Sequence, residues 1–219
     1  MWWTPPIGYR FSVASIARRC RGDSFAYALT TSADGTLYAG FYGQEAGIFR
    51  SGDNGDNWDP ANNGLVSRYI YALAAHPTQA QVLYAASDHV YKTTDGGASW
   101  VPKVSGFTST EINCLAIVSD SPQTVLAGTF DQGIFRSNDG GESWRQANTG
   151  LTNLVVWSLA VSPVDSRVVF AATSGGVFRS EDRGQSWTFV GLSETYSLAI
   201  HPTKRYIVYA GTWGNGVFV

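Results

Sequence analysis

The chain has 219 residues, of which 44% are hydrophobic, 14% aromatic and 15% charged, with 24 Gly, 8 Trp and a formal net charge of −2. So much apolar material at so small a net charge excludes a disordered chain, and it removes the bulk positive charge on which nucleic-acid binding draws. No run of about 18 apolar residues occurs, so no membrane-spanning helix is expected. Low charge with abundant Gly and aromatics points to an all-β, turn-rich fold.

The chain opens on Met1-Trp2-Trp3-Thr4-Pro5-Pro6, without a basic region followed by an apolar stretch. A signal peptide is therefore not expected. That makes the chain cytoplasmic if it is complete and extracytoplasmic if it is processed or excised. Residues Ser12 to Asp23 read as an inserted loop, and Arg18, Arg19 and Arg21 surround Cys20 within it. The second cysteine, Cys114, lies in the apolar run Ile112 to Ile117 and is expected to be a buried thiol. Two cysteines make no disulfide framework, and neither has metal-ligand spacing. His76 and His201 each precede a Pro at equivalent positions, which is turn chemistry.

From residue 25 onward the chain repeats itself. A first strand is predicted around Tyr27, Tyr71, Asn113, Trp157 and Tyr196, and turns follow at Asp34-Gly35, Pro77, Pro122, Pro163 and Pro202. Second strands read Leu37-Tyr38-Ala39-Gly40, Leu83-Tyr84-Ala85-Ala86, Val125-Leu126-Ala127-Gly128, Val169-Phe170-Ala171-Ala172 and Val208-Tyr209-Ala210-Gly211. Third strands centre on Phe49, Tyr91, Phe135, Phe178 and Phe218. An octapeptide then leads into a fourth strand, in the forms Ser51-Gly52-Asp53-Asn54-Gly55-Asp56-Asn57-Trp58 and Thr93-Thr94-Asp95-Gly96-Gly97-Ala98-Ser99-Trp100. It recurs as Ser137-Asn138-Asp139-Gly140-Gly141-Glu142-Ser143-Trp144 and Ser180-Glu181-Asp182-Arg183-Gly184-Gln185-Ser186-Trp187. Successive Trp residues are 42, 44 and 43 apart, a period that suits four short strands and their turns, the blade of a β-propeller.

Five such units predict a single five-bladed propeller of four-stranded antiparallel blades, at about residues 25–68, 69–110, 111–153, 154–193 and 194–219 plus 1–8. The fifth unit stops after its third strand. Trp3-Thr4-Pro5-Pro6-Ile7-Gly8 matches the fourth-strand register of Trp187-Thr188-Phe189-Val190-Gly191, so the N-terminal strand is expected to complete the last blade and close the ring. Closure removes edges that would otherwise pair with other chains.

The octapeptide Ser/Thr-x-Asp-x-Gly-x-Ser/Thr-Trp resembles the Asp-box, or BNR repeat, found in sialidases, xyloglucan-active endoglucanases, sortilin-type receptors and a photosystem II assembly factor. The resemblance implies structural roles for Asp53, Trp58, Asp95, Trp100, Asp139, Trp144, Asp182 and Trp187, on the face opposite any active site. The chemistry of a turn agrees: Asp accepts backbone N–H groups, Gly supplies a positive φ, and Trp plugs the core. One Asp per blade makes no metal site, and no cofactor is expected. A sialidase is disfavoured, because Tyr9-Arg10-Phe11-Ser12 lacks the segment that precedes the first box in that family, and Arg50, Arg136 and Arg179 belong to the repeated third strand.

A ligand face should then lie at the other end, on the loops between second and third strands. Tyr42 with Glu45, Phe130 with Asp131 and Gln132, and Trp213 with Asn215 set an aromatic beside an acid or amide, a way to hold a sugar ring. The competing reading packs these aromatics against neighbouring blades, Phe130 foremost. Tyr27, Tyr71, Trp157 and Tyr196, on innermost strands, are expected to pack in the core. The functional expectation is a non-catalytic module that binds a carbohydrate or a protein, with a glycoside hydrolase-related propeller, or a fragment of a larger Asp-box enzyme, as the alternative. No catalytic residue is assigned. A carboxylate pair such as Glu45 and Asp131 would be the place to look for hydrolysis.

Overall fold

The computed structural model describes residues 25–43, 46–108, 111–121 and 123–219. Strands β1 (Phe25–Thr31), β2 (Leu37–Tyr42), β3 (Gly47–Ser51) and β4 (Asp59–Pro60) form the first sheet. β5 (Ala72–Ala75), β6 (Leu83–Ala86), β7 (Val90–Thr93) and β8 (Val101–Pro102) form the second, and β9 (Ile112–Ile117), β10 (Val125–Thr129), β11 (Ile134–Ser137) and β12 (Arg145–Gln146) the third. The fourth contains β13 (Val156–Val161), β14 (Val169–Thr173), β15 (Gly176–Ser180) and β16 (Thr188–Gly191), and the fifth β17 (Thr195–Ile200), β18 (Val208–Thr212) and β19 (Gly216–Phe218). Every pairing is antiparallel between consecutive strands. The result is an all-β, five-bladed propeller in which β1, β5, β9, β13 and β17 pack successively as the innermost strands.

The second strands of the second, third and fourth blades are buried runs because both their faces are covered by neighbouring sheets. Val125–Thr129 and Val169–Thr173 are buried throughout. Small residues sit where inner strands cross closely: a Cβ on Gly40 would lie 2.5 Å from Ile70 Cγ2, and one on Gly128 would lie 2.5 Å from Cys114 Sγ. Cys114 is a free, buried thiol whose pKa burial pushes up to about 12, so it stays protonated and inert. His76 accepts the N–H groups of Thr78 and Gln79 on Nδ1 at 3.3 and 3.1 Å, and His201 accepts that of Thr203 at 3.2 Å, as turn residues do.

Trp100, Trp144 and Trp187 are wedges between successive blades, each enclosed by two adjacent sheets. The repeated pattern of third-strand cations has the same interblade origin. Arg50 Nη1 donates to Gly96 O at 3.0 Å, Lys92 Nζ to Gly140 O at 2.8 Å and Arg136 Nε to Arg183 O at 3.0 Å, each reaching the next blade's octapeptide. They converge on no common point. The N-terminal strand expected to close the ring, the Cys20 cluster and Glu45 lie outside the described residues. Among the described residues no helix is long and apolar enough to cross a membrane.

Candidate functional site

Antiparallel connection divides the loops between two ends of the sheets. The octapeptides share one end with the first-to-second turns, and the second-to-third loops share the other with the links between blades.

At the first end each Asp carboxylate is consumed by its own loop. Asp139 Oδ1 accepts the Ser137 hydroxyl at 2.7 Å and the Ser143 N–H at 2.9 Å, while Oδ2 accepts the Ser143 hydroxyl at 2.5 Å. Asp53, Asp95 and Asp182 repeat the arrangement with Ser51 and Asn57, Thr93 and Ser99, and Ser180 and Ser186. The glycine two residues on takes a positive φ in every copy, from +78° at Gly184 to +92° at Gly55. Asp139→Ala strands these donors and should cost about 1–3 kcal/mol in a denaturation measurement, with the opposite end undisturbed.

These contacts also set an acid limit. Hydrogen bonds from Asn57 and Ser51 hold Asp53 at about 2, and those from Ser99 and Thr93 do the same for Asp95. At Asp139 burial opposes ionisation but is outweighed by Ser143 and Ser137, again leaving it at about 2. A carboxylate whose folded pKa lies below its unfolded value of 3.8 stabilises the fold above that value and ceases to do so as the pH falls through the folded one. The melting temperature should therefore drop between about pH 4 and pH 2, and a flat profile there would contradict these assignments. Among the described residues no three His, Cys, Asp or Glu side chains are grouped to hold a metal ion.

The second end carries aromatic rings, including some expected in the core. Tyr27 is 61% exposed, Tyr196 is 40% exposed, and Tyr71 and Trp157 are only partly buried. For three of these four the core expectation is corrected by a backbone feature. Pairing skips a residue between Ala26 and Ala28, Val156 and Ser158, and Thr195 and Ser197, so Tyr27, Trp157 and Tyr196 are bulge residues. A β-bulge re-aims its side chain, here towards the end where the second-to-third loops lie. The equivalent residue of the third blade is Asn113, whose Nδ2 donates to Val156 O at 3.0 Å. It divides the rings into two groups.

One group joins Tyr42 to Tyr27, Tyr69 and Tyr71, with centroids 5.6, 4.8 and 5.8 Å away. The other is a row: Phe130 meets Trp157 edge-on at 5.8 Å, Trp157 stacks with Tyr196 at 5.1 Å, and Tyr196 meets Trp213 at 5.8 Å. Trp213 is 75% exposed, and Phe130 remains 44% exposed although it packs on Trp157. Trp157 Nε1 donates to Ser174 Oγ at 2.9 Å, which fixes its ring plane.

Of the polar residues expected beside the rings, Asp131 and Asn215 are exposed on these loops. Gln132 is held by its surroundings: Oε1 accepts the Thr108 hydroxyl, its N–H donates to Thr129 Oγ1 at 2.9 Å, and its carbonyl accepts Asn148 Nδ2 at 2.8 Å. These bonds make it a support of the loop. Sequence reasoning passed over Tyr69, Ser174 and Glu111. The Glu111 carbonyl accepts the Phe130 N–H at 3.2 Å, and burial together with the Glu111 charge raises the Tyr71 phenol. A carboxylate directly before a first strand is the signal that could have found it.

A structure-based comparison places the fold among known propellers. An ancestral GH74 enzyme is similar with a TM-score of 0.66 and 19% identity over 86% of this chain and 27% of its own. The GH74 enzyme of Niastella koreensis gives 0.70 and 17% over 87% and 33%. The GH74 xyloglucanase of Xanthomonas campestris gives 0.68 and 19% over 86% and 35%. The chain thus spans between about a quarter and a third of the length of each. No family model and no curated protein sequence matches it.

Proposed function

We propose that the chain is a carbohydrate-binding propeller related to glycoside hydrolases, with its ligand lying along the row Phe130, Trp157, Tyr196 and Trp213. The observation that carries this reading is the row itself. Four rings from three consecutive blades stand 5.1–5.8 Å apart at one end, and the outermost is largely exposed. Aromatic faces take up the apolar faces of sugar rings, and Asp131, Asn215 and Glu111 supply groups for hydroxyls. The likeness to three GH74 structures supports a glycan as the ligand, and the octapeptides, which we assign to the Asp-box, serve the scaffold at the other end. A glycan panel that includes xyloglucan and other β-glucan oligosaccharides tests this. Binding should appear and weaken about tenfold in Trp213→Ala, the ~1.4 kcal/mol that an aromatic contact is worth.

Hydrolysis is the second reading, favoured by two acidic residues beside Phe130 in the same blade: Glu111, whose carbonyl accepts the Phe130 N–H, and Asp131, which follows Phe130 in sequence. Release of reducing ends that stops in Glu111→Gln or Asp131→Asn would make the chain an enzyme. Binding without release would leave it a binding module.

A further inference from the structure

Two glutamates stand in one structural position at the two ends of the ring row. Glu111 lies two residues before Asn113 of the third blade, and Glu194 two before Tyr196 of the fifth. Both are exposed, and each is tied by its backbone to the aromatic residue of its own blade's second-to-third loop. Glu111 O accepts the Phe130 N–H and Glu194 O the Trp213 N–H, both at 3.2 Å. In the blade between them Val155 O accepts the Ser174 N–H at 3.2 Å, so this bond belongs to the position and does not call for a glutamate. Glu194 holds its place at a φ of +56°, a left-handed conformation that side chains adopt at some cost. The Glu111 charge helps to raise the Tyr71 phenol, after burial, which sets that carboxylate within electrostatic reach of the neighbouring ring group. Asp131, next to Phe130, is a third exposed carboxylate at this end. Segments 104–112, 129–133, 147–156, 173–176, 190–196 and 212–216 make up this end of the three blades. They hold Glu111, Asp131 and Glu194 but no Lys, Arg or His. Lys103, at the head of one link, turns to Glu142 of an octapeptide at 2.6 Å.

We infer that the glycan taken by this row is cationic: a chain of β-linked amino sugars, with glucosamine as its simplest unit. Its ring faces lie on Phe130, Trp157, Tyr196 and Trp213, and its ammonium groups meet Glu111, Asp131 and Glu194. The inference rests on the row being the binding surface and adds the charge of the ligand. β-Linked sugar rings offer the apolar faces that aromatic side chains take up. An ammonium on each sugar gains twice over, from the carboxylates and from the negative faces of the rings. A uronic or sialic acid would meet like charge at both ends of the row, which excludes acidic glycans. Glu194 is therefore a specificity residue, since its backbone secures the Trp213 loop while its side chain selects for positive charge.

The test titrates the full chain with glucosamine oligomers and with cello-oligosaccharides of the same length, in which a hydroxyl replaces each amine. At low ionic strength and mildly acid pH, where the amines are charged, the glucosamine oligomer should bind about five- to tenfold more tightly. Added salt should shrink that ratio. Glu194→Gln keeps the backbone carbonyl that holds Trp213 and should cut the ratio about threefold. Combining it with Glu111→Gln and Asp131→Asn should abolish the preference, with thermal melts showing that the variants fold. Equal binding of the two oligomers, or a ratio unchanged in Glu194→Gln, would overturn the inference and leave the row standing as a site for neutral glycans. Binding that Trp213→Ala leaves untouched would instead fail the row, and no binding of either oligomer would fail both.

Discussion

Trp144→Ala is expected to lower the unfolding free energy by about 3–5 kcal/mol, the usual cost of truncating a buried indole. The side chain is 5% exposed and lies between the second and third sheets, 4.8 Å from the Phe107 ring. Its Nε1 donates to Gly141 O at 3.1 Å. Truncation removes the apolar transfer energy, leaves a cavity that two rigid sheets cannot close, and orphans a buried carbonyl. In a repeat architecture the junction between units carries much of the stability, so the loss should appear in the midpoint of chemical denaturation. A change below about 1 kcal/mol would contradict the wedge assignment.

Gly106→Ala should cost about 2–5 kcal/mol, combining left-handed strain with overpacking. Gly106 has a φ of +87°, and a Cβ there would stand 1.9 Å from the Trp144 carbonyl oxygen. The two backbones cannot separate freely, because Trp144 N donates to Ser105 O at 2.9 Å. Gly35 provides the control. Its φ is +90° with nothing within 4 Å of a Cβ, so Gly35→Ala should show the strain alone, about 1 kcal/mol. Equal losses at the two positions would mean that the Trp144 backbone does not lie where it is drawn.

The fold was legible in the sequence because its signals are strictly periodic. The octapeptides fix the phase, and runs such as Val125 to Gly128 lie in second strands covered on both sides. The closing strand was read from the same phase, and it lies outside the described residues. The candidate site was legible only in its loops. Tyr42, Phe130 and Trp213 fall in second-to-third connections, whose end of the sheet follows from strand direction alone. Trp157 and Tyr196 were read as core because they fall on innermost strands, where adjacent blades cover both faces. A one-residue bulge turns them out, and no residue type in Val156-Trp157-Ser158 or Thr195-Tyr196-Ser197 signals it. The partners of Gln132, Thr108 and Asn148, were not legible either, since the fold brings them to it.

The central claim is that the row of rings is the binding surface, and Trp157 is its middle member, touching both Phe130 and Tyr196. The most direct measurement is calorimetric titration of wild type and Trp157→Ala with the strongest ligand from the glycan panel, beside thermal melts of both. The account predicts affinity weakened about tenfold or more in a variant that still melts cooperatively. Equal affinities in two folded proteins would contradict it and move the ligand off these rings.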